Sequence, residues 1–106
     1  MSFLTTSALL DSVVLASLSG KDGYGYVITQ KVTKILGVSD STLYPALRRL
    51  QKEGLLETYD MMENGRNRRY YKITQTGGEK LKGYLKEWEK VKTNLNKLYS
   101  GGGKNE

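Results

Sequence analysis

The sequence predicts a mainly α-helical domain that carries one small β-hairpin and ends in a helix able to pair with a second copy. Three observations carry that prediction. Leu43, Leu47 and Leu50 recur at i, i+4 and i+7, the stripe of a helix lying on a core. Between Leu55 and Ile73 the pattern shortens to alternation on either side of Asn64-Gly65, a strong hairpin turn. Leu81, Tyr84, Trp88, Val91, Leu95 and Leu98 keep the alternating 3-4 spacing of a heptad seam.

Composition narrows the partner more than the fold. A chain of 106 residues is one domain with a modest core, and oligomerisation is a natural way to enlarge it. Lys+Arg outnumber Asp+Glu by 17 to 11, for a net charge of +6, so a polyanion or an anionic surface is the expected class of partner. Cys 0 excludes disulfides and thiolate metal sites, and His 0 removes the commonest general base and metal ligand. With no paired carboxylates on a shared face, an enzyme has no support, and no metal or cofactor is expected. Met1 to Leu18 lacks a basic leader region, its apolar run is broken by Asp11, Ser12 and Ser17, and nothing approaches the ~20 apolar residues of a membrane span. A soluble, cytoplasmic protein is expected.

Thr5, Thr6 and Ser7 are candidate caps for a first helix running to about Leu18. Leu9, Leu10, Val13, Val14, Leu15 and Leu18 wrap more than one face, so this helix is expected to bury one side in its own domain and another against a partner. Asp11 breaks that pattern, either as an exposed carboxylate near the helix start or as a charge lining a cavity. Gly23-Tyr24-Gly25-Tyr26 enters a second helix with Ile28, Val32 and Ile35 on one face, closed by Gly37.

The third helix follows after a short turn. Ser39 to Thr42 offer N-caps, the regular helix should start near Ser41 with Pro45 at the end of its first turn, and Gly54 ends it. Its other faces carry hydroxyls and arginines, with Ser41, Thr42, Tyr44 and Arg48 suited to base edges and phosphates in a groove. The simpler alternative is a core helix with a solvated basic face. Two helices joined this way form a helix-turn-helix, whose second helix enters the major groove.

Leu55 to Tyr59 and Arg68 to Ile73 then read as paired strands, making a wing with Arg66, Arg68 and Arg69 at its tip and returning strand. Such a cluster tracks phosphates or enters the minor groove, unless it only guards a sheet edge. Thr76-Gly77-Gly78-Glu79 has capping-box spacing and opens the last helix. Fewer than three heptads do not hold a coiled coil alone, so the first and last helices together are expected to form a homodimer. The chain accordingly divides into a winged helix-turn-helix over 1–75, a dimerisation helix over 76–99 and a flexible tail over 100–106. Trp88 lies mid-seam, either as a packing knob or as half of a paired-indole slot for a planar aromatic compound, with Asp11 and Tyr84 as candidate polar edges.

These stretches resemble a known family. Tyr24-Gly25-Tyr26, Ser41-Thr42-Leu43-Tyr44-Pro45-Ala46-Leu47 through Arg49-Leu50, Glu53-Gly54-Leu55, and Gly65-Arg66 through Tyr70-Tyr71 to Thr74 are similar in order and spacing to PadR transcriptional regulators. One departure is Ser41, where members often have glycine. The single C-terminal helix resembles the family's compact branch. The resemblance implies a homodimeric winged helix-turn-helix, usually a repressor, that binds an inverted-repeat operator in double-stranded DNA and is released by a small molecule or another signal. Ser41, Thr42, Tyr44 and Arg48 would face the major groove, and Arg66 and Arg68 the phosphates or minor groove. The residues around Trp88 also resemble multidrug-sensing members, in which a tryptophan from each protomer sandwiches flat aromatic drugs. A winged-helix module that binds protein in place of DNA is the competing reading.

Overall fold

In the computed structural model, residues 6–101 are described. The elements run α1 (Thr6–Ser17), β1 (Gly23–Tyr24), α2 (Gly25–Leu36), α3 (Asp40–Lys52), β2 (Leu56–Glu63), β3 (Arg66–Ile73) and α4 (Gln75–Tyr99). Thr5, one of the expected caps, and Gly102 to Glu106 of the expected tail lie outside the described residues. The fold is mainly helical with a small antiparallel sheet of order β1-β3-β2. The sequence reading supplied the hairpin; the short strand β1 is an addition, pairing Gly23 with Tyr71 and Tyr24 with Tyr70.

The core is built from α1, α2 and α3, with β2 and the start of α4 closing it. Val14, Leu15 and Leu18 of the first helical segment meet Ile28, Val32, Leu43, Leu47, Leu50, Leu56 and Leu81. Ile35 is the exception on its stripe. Ile28 and Val32 are buried, but Ile35 is 60% exposed because it faces a cavity at the far end of α2, not packed side chains.

Ser39 caps α3, its Oγ accepting from the Thr42 N–H at 3.3 Å. The helix therefore begins at Asp40 and Pro45 falls in the second turn, not at the end of the first. Proline leaves the Ser41 carbonyl without its usual i+4 donor, which is tolerable because Ser41 is exposed.

The hairpin is longer than the alternation predicts. Its ladder continues to Glu63 opposite Arg66, leaving only Asn64-Gly65 as the loop. Both loop residues have positive φ, 52° and 76°, as a type I′ turn requires. The cap of α4 also differs from expectation. Thr74, not Thr76, receives the Gly77 N–H at 3.0 Å and donates its own hydroxyl to the Gly54 carbonyl at 2.7 Å. A side chain at Gly77 would collide with the Leu55 carbonyl oxygen, so α4 starts hard against the turn that follows α3. That close approach places the cap where Leu55 is, whatever the local sequence offers.

Candidate nucleic-acid interface and adjoining cavity

The two sides of α3 separate cleanly. Leu43, Ala46, Leu47 and Leu50 are buried, which turns Ser41, Thr42, Tyr44 and Arg48 outward, all exposed. Ser41, Tyr44 and Arg48 stand at i, i+3 and i+7 and so share one face. Ser41 and Thr42 hydroxyls lie 2.9 and 3.2 Å from the Ser39 Oγ, a small hydroxyl cluster at the helix start. Asp40 in that first turn suits the positive end of the helix dipole.

The wing arginines are not equivalent. Arg66 sits exposed beside the turn and makes no ion pair with another described residue. Arg68 lies with Nε 3.4 Å from Glu63 Oε1 and its guanidinium 4.8 Å above the Tyr24 ring. Arg69 is paired loosely with Asp60 at 3.5 Å. Of the three wing arginines Arg66 is thus the most available to an outside partner, and Arg68 is partly committed to the sheet.

Sequence reasoning missed what holds the wing. Tyr24, Tyr70 and Tyr59, one from each strand, line the sheet's outer face with ring centroids 5.9 and 5.6 Å apart. The Tyr59 hydroxyl donates to Asp22 at 2.7 Å, and this bond pushes its pKa up to about 12. Tyr70 donates to Glu63 at 2.8 Å, and its pKa is raised for the same reason. Glu63 therefore holds Tyr70 and Arg68 together. Period-2 alternation from Tyr59 and Tyr70 could have revealed the row; Tyr24 could not, since its strand is two residues long.

Asp11 corrects the expectation made for it. It is neither exposed nor at a cavity wall: at 5% exposure it accepts both Nη atoms of Arg49, at 3.0 and 2.6 Å. The hydrogen bond to Asp11 raises the Arg49 pKa further, so the guanidinium is cationic at every working pH. Tyr84 lies near this pair, and its pKa is raised mainly by burial and then by the Asp11 charge.

An apolar cavity of about 390 Å³ opens between α1, α2 and α4. Leu9, Val13 and Ala16 form its α1 wall, Ile35 and Lys31 its α2 wall, and Leu85 and Trp88 its α4 wall. Of the residues expected at an effector's edges, Trp88 lines it at 38% exposure, while Asp11 and Tyr84 do not. Lys31 is the charged residue in its lining. The cavity wall on α1 is the second apolar face that the sequence showed; Lys31 carried no signal. Along α4, Leu81 is buried, Tyr84, Val91 and Leu95 are half-buried, and Leu98 is exposed.

Two adjacent helices, an exposed face on the second, and a following β-hairpin to which β1 adds a third strand define a winged helix-turn-helix of the DNA-binding type. Residues 14–83 match the Transcriptional regulator PadR-like family, and the chain belongs to that family. A structure from Streptococcus mutans UA159 aligns with a TM-score of 0.84 at 37% identity, covering 95% of each chain. A PadR-like transcriptional regulator from Bacillus cereus aligns with a TM-score of 0.79 at 35% identity, covering 88% of this chain and 93% of its own. A transcriptional regulator of Mycobacterium tuberculosis is 35% identical over 65 residues, 60% of this chain and 61% of that one. The protein is accordingly a transcriptional regulator, not an enzyme. Among the described residues no helix is long and apolar enough to cross a membrane.

Proposed function

We propose that the protein is a homodimeric repressor that binds an inverted-repeat operator and is released by a planar aromatic compound. The observation that carries this reading is the exposed face of α3, where Ser41, Thr42, Tyr44 and Arg48 stand outward while the opposite face is sealed into the core. Arg66, and Arg68 behind it, would meet phosphates or the minor groove beside that helix. Residues 1–75 serve as the DNA-binding unit. Residues 76–99 serve as the dimerisation helix through Leu81, Trp88, Val91, Leu95 and Leu98, with 100–106 as a tail.

Two-fold pairing along that seam would set two α3 helices into successive major-groove turns, the geometry an inverted repeat demands. The effector would enter the cavity beside Trp88, whose volume falls in the range of small-molecule sites. With Lys31 at its wall and Asp11 held by Arg49, the cavity suits a neutral or anionic aromatic better than a cation.

The test is binding of the purified protein, at several salt concentrations, to the duplex upstream of its own gene and to an unrelated duplex. Tyr44→Ala and Arg48→Ala should erode the preference between duplexes by roughly 1 to 3 kcal/mol per lost base contact. Arg66→Ala should weaken both duplexes and flatten the salt slope by about one. Absence of any preference at every salt would overturn the reading and favour a protein partner.

A further inference from the structure

The Asp11–Arg49 contact is a feature that the proposed DNA contacts leave unused. Among the described residues it is the one ion pair that joins two helices, α1 to α3. A buried carboxylate gripped by both arms of a guanidinium fixes orientation as well as distance, which sliding leucine contacts do not. Asp11 is buried but the Arg49 side chain is 40% exposed, so solvent screening limits what the pair adds to stability. Fixing the register of one element against another is the better-attested use.

The neighbours of each partner say which register. On α1, Asp11 adjoins Ser12 and lies within one turn of Leu9 and Val13, all three in the wall of the Trp88 cavity. On α3, Arg49 follows Arg48 on the outward face, and its fork is turned inward to Asp11. A shift of the cavity wall therefore has a directional route to α3 in this bidentate contact, beside the leucine packing that the two helices share. We propose that the Asp11–Arg49 pair is a positioning element that locks α3 to the wall of the Trp88 cavity, so that DNA at α3 and the contents of the cavity sense each other. The proposal rests on the reading of α3 as the DNA-contacting helix, and Arg49 acts in it as a positioning residue.

Asp11→Asn keeps the shape of the buried side chain and removes its charge. Arg49→Lys keeps a cation beside the carboxylate and removes the fork, so it carries the test should Asp11→Asn not fold. The full chain, both single variants and the double variant would be titrated with the upstream and unrelated duplexes. Anisotropy of labelled DNA would be followed together with emission from Trp88, the chain's single tryptophan. In the wild type, Trp88 emission should change with the same midpoint as DNA binding. Each single variant should lose about tenfold of the preference between duplexes without a change in salt slope. Each should also lose the Trp88 response, and the double variant should lose no more than either single.

A lower melting temperature with preference and Trp88 response intact would overturn the proposal and leave the pair as packing. A third variant, Arg49→Gln, removes the cation; a salt slope reduced by about one in it would make Arg49 a direct phosphate contact and also overturn the proposal. Wild-type emission unmoved by the preferred duplex would remove the link to the cavity. A wild type without preference would sink the functional reading, and the proposal with it; preference retained in both variants would sink the proposal alone.

Discussion

Two amphipathic helices of this molecule treat their apolar stripes in opposite ways. On α3, Leu43, Leu47 and Leu50 are at most 1% exposed, so the protomer itself satisfies the whole stripe. On α4 the stripe begins at buried Leu81 and runs out to Leu98, which is 63% exposed. The same kind of periodicity thus serves two purposes. The stripe completed at home leaves the opposite face of α3 exposed, the face we propose for DNA, whereas the stripe left open along the 25-residue α4, about 37 Å long, is the surface we propose for a second copy.

Truncating one residue in each stripe separates these roles. Leu47→Ala should destabilise the protomer by about 3 kcal/mol, the cost of a core cavity, read as a lower midpoint in urea. Leu98→Ala should change the same midpoint by less than about 0.5 kcal/mol in dilute protein, as at an exposed site. Equal losses would erase the distinction between the helices.

A charge placed in the open stripe sharpens the comparison. Leu95→Asp should weaken self-association by about tenfold or more, measured by sedimentation across a concentration series. It should also remove the concentration dependence of the melting temperature while the dilute protomer melts as before. A dimer that survives both Leu95→Asp and Val91→Asp would place the interface elsewhere.

The features legible in the sequence were those whose cause is local. Leu43, Leu47 and Leu50 announce a buried face by spacing, and Asn64-Gly65 announces a turn because few other pairs tolerate positive φ twice. The rest depended on distant chain. Asp11 and Arg49 are 38 residues apart, and nothing near either names the other. Gly23-Tyr24 is too short to show any period and becomes a strand only because β3 lies beside it. Thr76 and Glu79 have the better local capping pattern, yet Thr74 caps α4 because the Gly54 and Leu55 carbonyls stand there to receive it. The exposed residues of α3 were read from the sequence and are found outward. The residues lining the cavity were mostly not, since a cavity is set by where three helices diverge.

The smallest effect tests whether the wing, like α3, is held from within. The Asp22 carboxylate accepts the Tyr59 proton in a hydrogen bond that ionisation would destroy, which is why the tyrosine pKa rises from 10 to about 12. A group whose pKa is raised on folding adds stability that is fully present below its unfolded pKa. That stability is lost as pH rises through the folded value, here between pH 10 and 12. Asp22→Asn removes the charge opposite Tyr59, so one tyrosine should ionise nearer pH 10, visible as a difference in phenolate absorbance between variant and wild type. Tyr59→Phe should abolish that difference, because the two changes act on one bond. With Tyr59 loosened, the stacked Tyr70 and the Glu63 that it shares with Arg68 lose support on one side. The Asp22→Asn wing should then show faster amide exchange at the β2–β3 ladder without change at α3, whose face is held by the core and not by the tyrosine row.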